Sequence, residues 1–199
     1  MNYYQRIADN FQNTIETIAM SVDDLADKIE QASQMMAAAL LADRKIVACG
    51  NGVDAALAQL FTCNLLSRFE EDRPALPAVN LTADQASVTA IAQSSGINDI
   101  FSRQLRALGQ AGDVLLCINS SGRAGNLLRA VQTAQERNMG VIVMSNPRDD
   151  ELGALIRPED VELRVCANRQ PRTVEMHTMA IHCFCELIEH SLFGTYGQE

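Results

Sequence analysis

Lys45-Ile46-Val47-Ala48-Cys49-Gly50-Asn51-Gly52 is an apolar run that opens into a turn of small residues. Val114-Leu115-Leu116-Cys117-Ile118-Asn119-Ser120-Ser121-Gly122-Arg123 repeats the pattern further along the chain. Each predicts a strand that turns on Gly or Ser into a helix. Such a turn presents free backbone N–H groups and the positive end of a helix dipole, a natural seat for an anion. Two such seats point to a phosphorylated ligand.

Outward from these runs, short apolar or β-branched segments alternate with helical stretches, the rhythm of βαβ units and a parallel sheet. Strands are predicted near 45–49, 77–82, 114–118, 141–145 and 161–165, and helices near 53–69, 84–93, 98–109 and 124–138. Pro74, Pro77, Pro147 and Pro158 all fall between them. The expected fold is a three-layer α/β/α sandwich, flavodoxin- or Rossmann-like, around a five-stranded parallel sheet. Before it, Ile7, Phe11, Ile15 and Ile18 share one helical face. Ser21 with Asp24 reads as a capping box that starts a second helix carrying Leu25, Ile29 and Leu40. Residues 1–42 are therefore expected to form a two-segment oligomerisation arm, and residues 43–199 one structural unit. The last helix, about Thr173 to Leu192, is apolar nearly all round, which favours a homo-oligomer; a helix buried within one subunit also satisfies the pattern.

The chain has 199 residues, 47% of them apolar, a formal net charge of −9 and a pI near 4.8. It is long enough to bury a full core, and its acidity excludes nonspecific nucleic-acid binding, which needs clustered Lys and Arg. No apolar stretch reaches the roughly 20 residues that span a bilayer, and Met1-Asn2-Tyr3-Tyr4-Gln5-Arg6 lacks a signal-peptide core, so a cytoplasmic protein is expected. Six cysteines without a CxxC pair read as reduced core residues.

Gly50-Asn51-Gly52-Val53-Asp54-Ala55 formally meets the G-x-G-x-x-A dinucleotide fingerprint. The acid that the fingerprint needs belongs at the end of the next strand, whereas Glu70 precedes Arg73-Pro74 and that strand. In the second loop, Ser120 and Ser121 offer hydroxyls and Gly122 a close approach for phosphate oxygens; an ordinary turn with a Ser N-cap fits the same residues equally.

Cys49-Gly50-Asn51-Gly52, Ser67-Arg68-Phe69-Glu70-Glu71-Asp72-Arg73-Pro74, Asn98-Asp99-Ile100-Phe101-Ser102, Arg106 to Leu116 and Glu175-Met176-His177 resemble, in order and over nearly the whole chain, the sugar isomerase (SIS) domain family. The resemblance is narrowest to its phosphoheptose isomerase branch and to a non-enzymatic sibling branch that associates with the replication initiator DnaA. It implies a five-stranded parallel sheet flanked by helices and a homotetramer with ligand sites between subunits. For the isomerase branch it also implies zinc-assisted conversion of sedoheptulose 7-phosphate, with a His and a Glu after the first loop and a Gln and a His on the last helix. Those positions fall on Leu60, Asn64, Val174 and His182, and an aspartate ahead of the Gln falls on Pro171. Only His182 matches, and Leu and Val cannot bind zinc.

The family's phosphate loop, Ser-Thr-Ser-Gly-Asn-Ser, reads Asn119-Ser120-Ser121-Gly122-Arg123-Ala124. A family serine falls on Asp54, whose carboxylate about 4 Å from a phosphate would repel it by about 1 to 4 kcal/mol; Arg123 offsets this if it points inward. His182 stands one turn from Glu186, where an ion pair or a buried hydrogen bond is expected rather than metal ligation, and His177 does not share its face. The resulting expectation is a protein without catalytic residues, metal or cofactor, which binds DnaA and promotes replication initiation as a homotetramer. Leu192 and Phe193 are its expected partner contact, or else cap the core. Gly50, Asn51, Gly52, Ser120, Ser121 and Gly122 are expected to form a sugar-phosphate loop, possible or vestigial. The alternative is a phosphoheptose isomerase-like enzyme or a phosphosugar-binding sensor.

Overall fold

Strands β1 (Ile46–Gly50), β3 (Val114–Ile118) and β4 (Gly140–Ser145) are buried almost end to end, as expected for parallel strands covered on both faces. The computed structural model describes residues 2–148 and 150–194, so the end of the expected 43–199 unit lies outside the described residues. With β2 (Ala78–Asn80) and β5 (Val161–Arg164) the strands form a five-stranded sheet of order β2-β1-β3-β4-β5, every pairing parallel.

Alternation along the strands divides the core in two. Ile46, Ala48, Leu116, Ile118, Ile142 and Met144 face one side, where α1 (Tyr3–Leu41), α2 (Val53–Leu66) and α7 (Gln170–Phe193) supply Met36, Phe61, Ile181 and Phe184. Val47, Cys49, Leu115, Cys117, Val141 and Val143 face the other, against Phe101 and Leu105 of α4 (Ile100–Leu108) and Leu127 and Val131 of α5 (Gly125–Glu136). Helix α3 (Gln85–Ser95) joins this second layer only at its edge, through half-buried Val88 and Ile91, and a short α6 (Asp150–Gly153) follows β4. The expected three-layer sandwich is the fold observed.

The arm differs from its expected form, because α1 is one helix of 39 residues rather than two. The Ser21 hydroxyl bonds the Thr17 carbonyl 2.6 Å away, so it serves the helix interior and caps nothing. Two cysteines differ as well: Cys63 and Cys166 are exposed, while Cys49, Cys117 and Cys185 are buried, and none of the six is in a disulfide. Among the described residues no helix is long and apolar enough to cross a membrane.

The sheet order sets where the two small-residue loops emerge. From β1 the chain moves outward to β2, then returns to the far side of β1 for β3, so the strand order reverses between β1 and β3. Loops leaving the carboxyl ends of neighbouring strands diverge at such a switch point and leave room for a ligand. Gly50 is level with Ile118 in the parallel register, so the two small-residue loops start side by side.

Candidate functional site

Gly50 ends β1 because nothing larger fits there: a Cβ would lie 2.6 Å from the backbone of Asp54 in the first turn of α2. Gly52, the N-cap of α2, has φ +57°, which glycine adopts without strain. The turn between them drives Asp54 inward, to 1% exposure. There its Oδ2 accepts the N–H of Ser120 at 2.9 Å.

The two loops are tied together a second time. Asn51 Nδ2 donates to Asn126 Oδ1 at 2.9 Å, and Asn126 Nδ2 donates back to Asn51 Oδ1 at 2.8 Å. Asn126 stands in the first turn of α5, so this reciprocal amide pair fixes the N-terminus of α5 against the first loop. Helix α7 closes the third side, where Gln170 donates from Nε2 to the Ser120 hydroxyl at 3.1 Å. Within the second loop, Asn119 Nδ2 donates to the Gly122 carbonyl, and Asn146 Nδ2 donates to the Asn119 carbonyl at 3.1 Å. Gly122 has φ +112°, a conformation that side-chain-bearing residues rarely adopt.

The six loop residues expected from the sequence lie at the adjacent carboxyl ends of β1 and β3, with Ser120 buried and Ser121 exposed. Sequence reasoning missed Asn126, Asn146 and Gln170. The signal available was Asn126 in the opening turn of the helix after the second loop, and Gln170 ahead of the helix-starting Pro171.

Burial raises the Asp54 carboxyl above the ordinary aspartate range, opposed by the hydroxyl and N–H of Ser120. Its Oδ1 is buried and has no hydrogen-bond partner among the described residues. Arg123 does not turn inward to it: that side chain is 81% exposed and pairs with Glu151 at 3.3 Å.

Burial drives His177 on α7 down to about 4, opposed by its contact with the Ser145 carbonyl, so the imidazole is neutral at pH 7. A carbonyl can only accept, so Nε2, 3.3 Å from it, carries the proton. His182 is exposed, and its ring centroid lies 5.7 Å from that of Phe69, the contact the structure gives in place of the expected ion pair or buried hydrogen bond.

The residues at the implied zinc positions do not fit a metal. Leu60 and Val174 pack against the apolar core, and Asn64 Oδ1 accepts from the thiol of Cys63 at 3.9 Å. No group of three or more His, Cys, Asp or Glu that could hold a metal ion occurs among the described residues. Leu192 and Phe193 are half-buried against the same core, where Phe193 also lies over Arg73 and Glu189. These two charges form a buried pair, Arg73 Nε donating to Glu189 Oε1 at 2.6 Å. Arg73 also donates to the carbonyls of Asn64, Leu65 and Pro74, and so staples the segment after α2 to α7.

Comparison with known proteins agrees with this geometry. The SIS domain family matches residues 9–146. A phosphoheptose isomerase of Alkalilimnicola ehrlichii is 45% identical, covering 98% of this chain and 99% of its own. The structure of phosphoheptose isomerase from Neisseria gonorrhoeae superposes with a TM-score of 0.89 at 37% identity, covering 94% of this chain and 99% of that one. A phosphoheptose isomerase from Francisella tularensis gives 0.92 at 35% identity, covering 96% and 100%. These likenesses overturn the expectation of a non-catalytic protein that promotes replication through DnaA. The relatives that match end to end carry the name of an enzyme, and the first loop, second loop and last helix meet at the strand-order switch point, where this kind of sheet binds ligands.

Proposed function

The chain belongs to the SIS domain family, and on that premise we propose that it binds a sugar phosphate of the sedoheptulose 7-phosphate class and acts as a phosphoheptose isomerase-type enzyme. The observation that carries the reading is the joining of the two loops at the switch point, through Asn51 with Asn126 and Asp54 with Ser120, in a chain alike end to end with proteins of that name. The phosphoryl group belongs at the rim of the second loop, where the Ser121 hydroxyl and the leading amides of α5 are at hand. The Ser120 hydroxyl is positioned by Gln170, and neutral His177 behind it holds the end of β4 through Ser145.

Leu60, Asn64 and Val174 do not fit zinc, so no step is assigned to a metal. Aldose–ketose interconversion then rests on moving a proton between adjacent carbons with side chains alone. Loss of positioned acid and base groups lowers such a rate by about 10² to 10⁴. The expected enzyme is therefore slow and indifferent to chelators. Assembly is part of the same proposal. Ile7, Phe11 and Ile15 of α1 are exposed, Phe11 by 70%, and an apolar groove of about 340 Å³ runs between α1 and α7, surfaces that further copies of the chain would cover in a homotetramer.

Incubation of the protein with sedoheptulose 7-phosphate, followed by NMR of the sugar, tests the reading. Slow formation of the aldose, unchanged by chelator, is expected. Binding without turnover would remove the isomerase half, and no binding would remove both.

A further inference from the structure

An anion seat is recognised by donors that converge without an anion among them, and this one already contains an anion. Asp54 lies in the first turn of α2, where the helix dipole favours negative charge, and it takes the Ser120 N–H at the carboxyl end of β3. The missing Cβ of Gly50 lets the Asp54 backbone lie against the strand end. Its second oxygen, Oδ1, is buried and unpartnered among the described residues. A residue with no role beyond structure would be expected to satisfy both oxygens at such a depth.

We propose that Asp54 is the resident anion of this seat: while ionised it stands in for a ligand's phosphoryl oxygen at Ser120 and holds phosphoryl groups out to the rim of the second loop. This rests on the sugar-phosphate reading and sets the selectivity of that same site.

The charges on the surrounding elements do not neutralise Asp54. Arg123 of the second loop pairs with Glu151, and Arg148 after β4 donates to the Asn168 carbonyl. Arg169 and Arg172 at the start of α7 bond Asn10, and Arg172 also pairs with Glu175. His177 of α7 is neutral, and the first turn of α2 carries no other charge. A second anion about 4 Å away therefore meets repulsion that weakens its binding about tenfold or more. Protonation of Asp54 lifts this, and burial already favours protonation.

Sulfate is the suitable probe because, as the anion of a strong acid, it keeps its double charge throughout the range in which Asp54 titrates. Sulfate affinity is measured by isothermal titration on the full-length protein, on Asp54→Asn and on Asp54→Ser, with folding of each variant checked by circular dichroism. The variants are expected to bind sulfate at pH 8 about tenfold or more tighter than the parent. The parent should tighten as the pH falls through the raised folded value of Asp54, while both variants stay level. Equal affinities in all three proteins, a parent affinity that does not respond to pH, or no sulfate binding in any of them would overturn the proposal. Failure of the sugar-phosphate reading shows separately, as absence of sedoheptulose 7-phosphate binding in variants that do bind sulfate.

Discussion

Replacing Asn126 by alanine removes both hydrogen bonds of the amide pair at once and leaves Asn51 without its partner. Each bond contributes a net of about 0.5 to 1.5 kcal/mol, so the pair contributes about 1 to 3 kcal/mol. Asn126 is buried but Asn51 is half-exposed and can recruit water, which places the loss in the lower part of that range, at about 1 to 2 kcal/mol. For a chain of this size each kcal/mol moves the midpoint by roughly 2 to 4 °C, so Tm should fall by about 2 to 8 °C. Calorimetry at one fixed protein concentration is the assay, applied to Asn51→Ala, Asn126→Ala and the double variant, since binding among copies would otherwise shift Tm. Because the two amides bond each other, either single change should cost nearly as much as both, with a coupling of about 1 kcal/mol. The single variants should also weaken sugar-phosphate binding, because the start of α5 is no longer held against the first loop. Additive single losses, or single variants as stable as the parent, would refute the reasoning that this pair joins the loops.

Gly50→Ala and Gly52→Ala separate two demands on glycine: the first drives a Cβ to 2.6 Å from Asp54 backbone and should cost several kcal/mol or block folding, whereas the second meets nothing within 4 Å and should cost about 1 to 3 kcal/mol through its backbone alone, at φ +57° and ψ −117°. Urea unfolding of both variants decides this, and equal losses would contradict it. Glu189→Gln strands the buried Arg73 and should destabilise by about 3 to 5 kcal/mol. Burial raises the Glu189 carboxyl, but the Phe69 N–H and Arg73 outweigh it and hold the group below the ordinary glutamate value. Its stabilisation is therefore complete above about pH 4.5 and lost as pH falls through the lower folded value, so Glu189→Gln should flatten that acid limb. Asp54 has the opposite sign: its raised carboxyl makes the fold less stable as pH rises from 3.8 to its folded value, with no further loss above, so the stability gain of Asp54→Asn should grow over that window and then stay level.

Much of this architecture is legible from local pattern. Val114 to Ile118 is a strand with the bounds its apolar run suggests, and Gly50-Asn51-Gly52 turns where its composition requires. The errors share a physical origin in contacts distant along the chain. Ser21 with Asp24 has the composition of a cap, yet α1 continues because Leu25, Ala32 and Met36 pack against the core beyond it. Asn126 is one polar residue among many until the fold brings it opposite Asn51, and Gln170 gains its role only because α7 starts beside β3. Asp54 was legible as a carboxylate near a phosphate seat, whereas its burial and its bond to Ser120 required the fold. The substitutions at Leu60, Asn64, Val174, Pro171 and in the second loop argued against catalysis, whereas the likeness to enzymes extends along the whole chain.

Titration of the full-length protein with sedoheptulose 7-phosphate, read by calorimetry for binding and by NMR of the sugar for conversion, tests the sugar-phosphate site most directly. Saturable binding that weakens in Asn126→Ala is expected, with slow conversion that a chelator leaves unchanged. Absence of binding, or binding that ignores the joined loops, would contradict it.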